Sequence, residues 1–233
     1  PSALGTYIYN PIDFYRQKIL KIKEVTDVEE TVAEYTLGSV VHGVLEDIYI
    51  HYIDKYLDAK SLHNFIPKTK QLVFDKFSEL YKNGNIAEGK NRLIYEVATN
   101  FVQRFLKHEI EELNQGHTIK IIGLEKEMSA TYQFDSLDFP VRFHGIIDRI
   151  DVYDGILRII DYKTGKVEPT NLRMFNLENR LEDYKNSKAL QVMLYACMLI
   201  NDNDLKENEI LQAGIISFKN HKKGFMPINF AES

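Results

Sequence analysis

The sequence predicts an α/β fold with a helical N-terminal part, and three observations predict it. Apolar residues before Gly116 recur at helical spacing, those after it alternate as in strands, and the dipeptide Asp154-Gly155 separates two of the strand-like runs. The change of period divides the chain into a helical part of about 1–116 and a hairpin-bearing core of about 117–233. Together they are expected to form one α/β domain with a helical insertion or cap.

The first long helix is expected over 36–57, where Val41, Val44, Leu45, Ile48 and Tyr52 fall on one stripe with Glu46, Asp47 and Lys55 between them. Two further helices follow at about 68–82 and 88–114. The second carries Leu93, Val97, Phe101, Phe105 and Leu106 and stops before Gly116. Strands run through Ile119 to Phe134, Val141 to Val152 and Ile156 to Ile160. Loop chemistry fills 164–183, a last helix spans about 184–201, and a short apolar strand closes the pattern at about 211–218. There is no repeat, low-complexity tract or Pro/Gly/Ser linker.

With 44% hydrophobic residues in 233, including 14 Tyr and 13 Phe, a sizeable core can form. Twenty-nine Lys and Arg stand against 34 Asp and Glu, a net charge of −5, which excludes a protein that grips nucleic acid by bulk electrostatics. Any phosphate-binding patch must be local; Arg173, Arg180, Lys185, Lys188, Lys219, Lys222 and Lys223 are its candidates, each as readily a solvated surface charge. The lone Cys197 excludes an intrachain disulfide and any four-cysteine zinc or iron-sulfur site, and points to a reducing, cytoplasmic setting. No run approaches the roughly 20 apolar residues of a membrane helix. The chain opens at Pro1 without a Met, so it is expected to be cut from a larger polypeptide.

Asp154-Gly155 favours a type I′ turn, because both central residues of that turn need φ > 0. If Tyr153 pairs with Ile156, then Val152 faces Leu157, Ile150 faces Ile159, Asp148 faces Asp161 and Ile146 faces Lys163, all on one face of the hairpin. Two carboxylates directly opposed at roughly 4.5–5.5 Å between Cβ atoms destabilise a sheet unless a cation offsets them. Mg²⁺ or Mn²⁺ suits such hard oxygen ligands, and Lys163 lies within reach of a bound water or a phosphate oxygen. An isolated Asp-x-Lys is as often a solvated surface hairpin, but a surrounding run of isoleucines makes unpaired charge costly here. Arg149 and Arg158 share the other face and are assigned to structure.

Helical positions supply further candidates. His42 shares a stripe with Gly38 and Glu46, so that an imidazole nitrogen joins the carboxylates if the stripe faces the hairpin's open end. Glu46 is then an orienting group or a solvated charge, and Gly38 allows close packing. Gln191 and Tyr195 form a polar i, i+4 pair on an apolar helix, suited to bordering the site or to a half-exposed helix edge. Glu125 offers a third carboxylate, although Glu127 has the same strand parity and the pattern does not choose between them.

The ordered set Gly38-x-x-x-His42, Gly145-Ile-Ile-Asp148-Arg-Ile-Asp, Asp161-Tyr-Lys163-Thr-Gly and Gln191-x-x-x-Tyr195 resembles the RecB-type branch of the PD-(D/E)XK nuclease superfamily. The opening Ser2-x-Leu4-x-x-Tyr7, with Pro11 and Phe14-Tyr15, is similar to that branch's N-terminal segment. The resemblance implies a restriction-endonuclease-like core, a mixed sheet flanked by helices. It implies one or two Mg²⁺ or Mn²⁺ ions on His42, Asp148 and Asp161, with the Tyr162 carbonyl as a further ligand. It makes Lys163 the catalytic lysine, gives Gln191 and Tyr195 a DNA-holding role, and matches Glu125 to an earlier glutamate of the family. Cluster-bearing relatives have a cysteine where Asn10 precedes Pro11, so no iron-sulfur cluster is expected.

The function expected on these grounds is metal-dependent hydrolysis of DNA, of exonuclease type, in repair or recombination. A helicase-like domain in the same or a partner chain is the expected associate. The alternatives are a catalytically inactive module that binds DNA or a partner, and a metal-dependent enzyme acting on a small phosphate ester.

Overall fold

In the computed structural model, residues 2–22, 34–81, 89–174, 187–201 and 211–230 are described. The helical part comprises α1 (Ser2–Tyr9), α2 (Pro11–Phe14) running into a π-helical turn at Tyr15–Ile19, α3 (Glu34–Tyr49), α4 (Ala59–His63), α5 (Thr69–Leu80) and α6 (Gly89–Asn114). The first expected long helix ends early. Beyond a 3₁₀ turn at Ile50–Tyr52, Asp54 turns the chain with φ +61, and the Asp54 and Leu57 amides donate to the Ile121 and Ile119 carbonyls at 2.8 Å each. The apolar spacing persists there, but the backbone is captured by a sheet edge.

That sheet holds β1 (Ile119–Tyr132), β2 (Val141–Tyr153), β3 (Ile156–Lys163), β5 (Leu211–Ser217) and β6 (Phe225–Pro227), in the order β1-β2-β3-β5-β6. Among the described pairs of this sheet, β3 with β5 is the one parallel pair, joined through α7 (Ser187–Asn201), as a parallel pair requires a crossover. The short strands β4 (Arg173–Met174) and β7 (Asn229–Phe230) pair separately. This is the mixed sheet flanked by helices of a restriction-endonuclease-like α/β fold, with the N-terminal helices added to it.

Alternation along the central strands assigns the two faces. Ile160, Tyr162 and Ile216 pack with Val41, Leu45 and Tyr49 of α3 and Val102 and Phe105 of α6, whereas Ile159, Ala213 and Ile215 pack with Val192, Tyr195 and Met198 of α7. Where β5 meets β6 the chains approach so closely that a Cβ at Gly214 would lie 2.3 Å from the Met226 carbonyl oxygen, so only glycine fits.

The hairpin turn forms as its sequence predicts, with Asp154 at φ +48 and Gly155 at φ +85. The Asp154 carboxylate also ties the turn to the start of β1, accepting from the Thr118 amide at 2.7 Å and meeting His117 Nδ1 at 2.6 Å. From Tyr153↔Ile156 the register runs through Val152↔Leu157 and Ile150↔Ile159 to Arg149↔Ile160. There the β2–β3 ladder stops. The expected pairs Asp148 with Asp161 and Ile146 with Lys163 are not formed, because β2 continues beside β1 while β3 continues beside β5.

Candidate metal centre

The fork between β2 and β3 is where the chemistry-bearing residues meet. Asp148, the first β2 residue past the ladder, uses its carboxylate in place of a strand partner: Oδ2 accepts the Tyr162 backbone N–H at 2.6 Å. The next residue, Arg149, faces the same helix. Asp148 Oδ2 lies 3.6 Å from His42 Nδ1, and the Arg149 guanidinium lies 4.8 Å from the Tyr49 ring centroid, one and the other end of a single face of α3. Strict alternation therefore fails at 148–149, as in a β-bulge.

The neighbouring strand is irregular at the same level. Leu124 pairs with Arg149 and Lys126 with Ile147, while Glu125 between them has φ +43, a left-handed conformation rare for a residue with a side chain. One ligand atom each of His42, Glu125 and Asp148 lies within 4.8 Å of the others. Strand parity alone does not separate Glu125 from Glu127. Backbone geometry does, since Glu127 is exposed and paired with Ile146. The available signal was Gly123, which sits at the register shift of β1 and is the residue type expected at a bulge.

Across the fork, Lys163 Nζ stands 2.7 Å from Asp161 Oδ2 and donates to Gln191 Oε1 at 3.2 Å, and Gln191 Nε2 donates to the Tyr195 hydroxyl at 3.0 Å. The Gln191 and Tyr195 pair is thus satisfied internally and reaches the site through the lysine. Asp161, expected among the ligands, is 2% exposed, turns Oδ2 to Lys163 and lies outside the His42, Glu125 and Asp148 set. The Tyr162 carbonyl, also expected as a ligand, lies 3.1 Å from His42 Nε2. A carbonyl can only accept, so that nitrogen carries the proton and Nδ1 is left facing Asp148 and Glu125.

Electrostatics follow from this crowding. Burial and then the Asp161 carboxylate push Asp148 up to about 8, against the Tyr162 amide and Lys163, which pull it down. Burial and then Asp148 raise Glu125 to about 7, with Glu46 adding to the rise. Burial lowers His42 below its usual range, favouring the neutral ring. Such a pocket, holding clustered carboxylates and one neutral imidazole, fits a divalent cation: oxygen donors for Mg²⁺ or Mn²⁺, and a nitrogen tolerated by Mn²⁺.

Other expectations fall elsewhere. A Cβ at Gly38 would make an ordinary 3.8 Å contact with Thr164 Oγ1, so close packing does not demand glycine there. Arg149 and Arg158 serve structure. Arg149 is fully buried, with Glu109 at 2.8 Å and Asp151 at 2.7 Å, and Arg158 grips Asp151 at 2.8 and 2.9 Å. Tyr49 completes the group by donating to Glu109. Lys222 and Lys223 line a cavity of about 480 Å³ beside Arg158 and Tyr153, at the turn end of the hairpin rather than at the fork. Arg173 and Lys219 are exposed, and Arg180 and Lys185 lie outside the described residues. Among the described residues, no helix is long and apolar enough to cross a membrane.

Similarity to known proteins is distant but spans the whole fold. The chain is 24% identical to an uncharacterized protein of Rickettsia felis over 242 aligned residues, covering 100% of this chain and 26% of the relative. An uncharacterized protein of Rickettsia conorii is 25% identical over 71% of this chain and 19% of the relative. A subunit of the ATP-dependent helicase/deoxyribonuclease of Carboxydothermus hydrogenoformans is 24% identical over 94% of this chain and 20% of the relative. The chain therefore spans about a fifth to a quarter of these relatives' length. A family model described as the PD-(D/E)XK nuclease superfamily matches residues 1–228, and with the α/β sheet and the fork built on it, the chain belongs to that superfamily.

Proposed function

We propose that the chain is a divalent-metal-dependent deoxyribonuclease domain that hydrolyses DNA phosphodiesters. The observation that carries this reading is the convergence of His42, Glu125 and Asp148 within 4.8 Å, beside the 2.7 Å Asp161–Lys163 ion pair. The reading is supported further by the family and by the name of the Carboxydothermus relative, a helicase/deoxyribonuclease subunit. On the same grounds we place the chain as one nuclease domain of a longer polypeptide, acting as an exonuclease in repair or recombination with a helicase-like domain as its associate.

A bound Mg²⁺ or Mn²⁺ would supply Lewis-acid activation of the attacking water and neutralise charge on the phosphoryl group. His42 offers Nδ1 and Asp148 and Glu125 offer carboxylate oxygens to that ion, and Asp161 adds a further negative charge beside them. Lys163 Nζ is held between Asp161 Oδ2 and Gln191 Oε1, to which its hydrogens are directed. Its role is therefore donation to the scissile phosphate or the attacking water as negative charge develops. Gln191 and Tyr195 keep that ammonium in place.

Cleavage of a labelled oligodeoxynucleotide, with Mg²⁺, Mn²⁺ or EDTA, tests the proposal. Expected is divalent-dependent cleavage lost in Glu125→Gln and Lys163→Ala. DNA binding without cleavage would instead identify an inactive binding module, and turnover confined to small phosphate esters would identify a different hydrolase.

A further inference from the structure

At the turn end of the hairpin, the cavity of about 480 Å³ has a floor of β3 and β5 and a rim made by α6 and a 3₁₀ turn at Phe218–Lys223. Arg158 in this floor and Tyr162 at the fork lie on the same face of β3, so the cavity stands about 13 Å along the strand from the metal centre. Its volume falls within the usual range of small-molecule sites.

Two groups in the floor have hydrogen-bonding capacity that the fold leaves over. Arg158, only 8% exposed, uses Nε and Nη2 on Asp151 and packs over the rings of Tyr153 and Phe225, 4.2 and 5.0 Å from their centroids. Its Nη1, which carries two N–H donors, has no partner among the described residues. Gln212 lies beside it on β5, half-buried, and neither end of its amide is hydrogen-bonded among the described residues. Buried polar groups are normally matched, so the space between these two side chains is suited to a polar ligand. Ile119, Ile156 and Ile216 keep the rest of the lining apolar.

The rim is basic. Lys222 and Lys223 are exposed and form no ion pair within 4.0 Å among the described residues, and His108 lies against Gly224, where a Cβ would come 3.1 Å from Nε2. Burial, then Arg104, Lys222 and His108, hold His221 below its usual range, so its charged surroundings are all of one sign. Carboxylates nearby already have cations: Glu109 with Arg149, Asp151 with Arg149 and Arg158, and Asp154 with His117. Glu168, which also feels Lys223, is 2.7 Å from Lys166. Glu112 is the lining carboxylate without one, and it accepts from the Tyr153 hydroxyl. Two lysines against one such carboxylate suit a single phosphate group, not a polyanion.

We propose that this cavity is a mononucleotide site separate from the metal centre: Lys222, Lys223 and His108 hold the phosphate, while Arg158 Nη1 and Gln212 hydrogen-bond the base above the Phe225 ring. An arginine edge next to a side-chain amide offers donors and an acceptor together, which matches the mixed carbonyl and N–H edge of a nucleobase. Nothing in this site depends on cleavage at the fork.

Calorimetry of the chain in EDTA, which keeps divalent ions from the fork, tests thymidine 5′-monophosphate, thymidine and inorganic phosphate in turn. The nucleotide should bind, with thymidine and phosphate each at least about tenfold weaker. Lys222→Ala combined with Lys223→Ala should weaken the nucleotide about tenfold and leave thymidine unchanged, whereas Gln212→Leu should weaken both. Thermal melts confirm that the variants fold. Phosphate bound as tightly as the nucleotide would overturn the proposal by reducing the cavity to a simple anion site. So would nucleotide binding that these substitutions leave untouched, or that needs Mn²⁺ and therefore belongs to the fork. Oligothymidylate bound more tightly than the mononucleotide, and lost in the same variants, would make the rim part of a strand path and overturns it as well. Absence of nucleotide binding by the parent chain sinks it outright.

Discussion

The Asp148 carboxylate caps the Tyr162 backbone amide at 2.6 Å, at the level where the strand ladder between them has just ended. One hydrogen bond thus closes the fork and anchors a carboxylate that would otherwise repel its neighbours. Because Tyr162 also presents its carbonyl to His42 at 3.1 Å, a single peptide segment of β3 orients two of the three candidate ligands.

The raised carboxyls predict a pH-dependent metal affinity. With Asp148 near 8 and Glu125 near 7, a cation binding at pH 6 must displace protons from both, whereas at pH 8.5 little displacement remains. Mn²⁺ affinity by calorimetry should therefore climb steeply between pH 6 and about 8.5, with proton release detected by varying the buffer's ionisation enthalpy. A flat profile would contradict the shared site.

The same shift has a stability consequence with a defined sign. Asp148 binds its proton more tightly folded than unfolded, where the value is 3.8, so its contribution is fully present below that value and is lost as pH rises towards 8. The metal-free chain should lose thermal stability over that window, Asp148→Asn should lose less, and Mn²⁺ should restore the parent most at the alkaline end. Scanning calorimetry across pH 5–8.5 reads all three.

Lys163→Ala should lower the cleavage rate by about 10²–10³, the usual cost of removing one donor that acts on developing charge. Metal affinity should hold or rise, because an ammonium is removed from beside the carboxylates. Lys163→Arg should recover little, since Gln191 and Asp161 fix a point charge and not a planar fork. Equal losses of metal binding and rate in Lys163→Ala would place the lysine in site assembly instead.

How far the sequence anticipated this arrangement can be read from individual residues. The turn at Asp154-Gly155 and its register were legible because a two-residue loop leaves few conformations. The end of the ladder was not, because no residue type marks where β2 parts from β3 and keeps β1 beside it while β3 keeps β5. Glu125 was a subsidiary candidate because period-two parity assumes a regular strand, and its φ of +43 breaks that assumption. His42 emerged from motif spacing together with helix periodicity, and its contact with Tyr162 depends on the packing of α3 against the sheet, a long-range fact.

The buried charge group around Arg149 should govern stability without touching the chemistry. Arg149 is fully buried between Glu109 and Asp151, so Arg149→Met leaves two carboxylates with one fewer cation and should cost about 3–5 kcal/mol in urea unfolding. Cleavage by the folded fraction at low temperature should fall far less than in Lys163→Ala. Glu109→Gln would be milder, since an amide oxygen can still accept from Arg149 and Tyr49.

The tautomer of His42 provides the most direct check on which of its atoms would face a bound cation. With Nε2 3.1 Å from the Tyr162 carbonyl, the neutral ring must place its hydrogen on Nε2, and Nδ1 then points its lone pair at the carboxylates. Nitrogen-15 spectra of the histidine-labelled chain above pH 7 should show His42 as the Nε2–H tautomer, and His42→Ala should identify the signal. A titration with Mg²⁺ should shift Nδ1 more than Nε2, and His42→Ala should weaken Mn²⁺ by at least about tenfold, as loss of even an outer partner commonly does. An Nδ1–H ring would reverse the assignment: the proton would then serve the Asp148 carboxylate, and the imidazole would orient a ligand without being one.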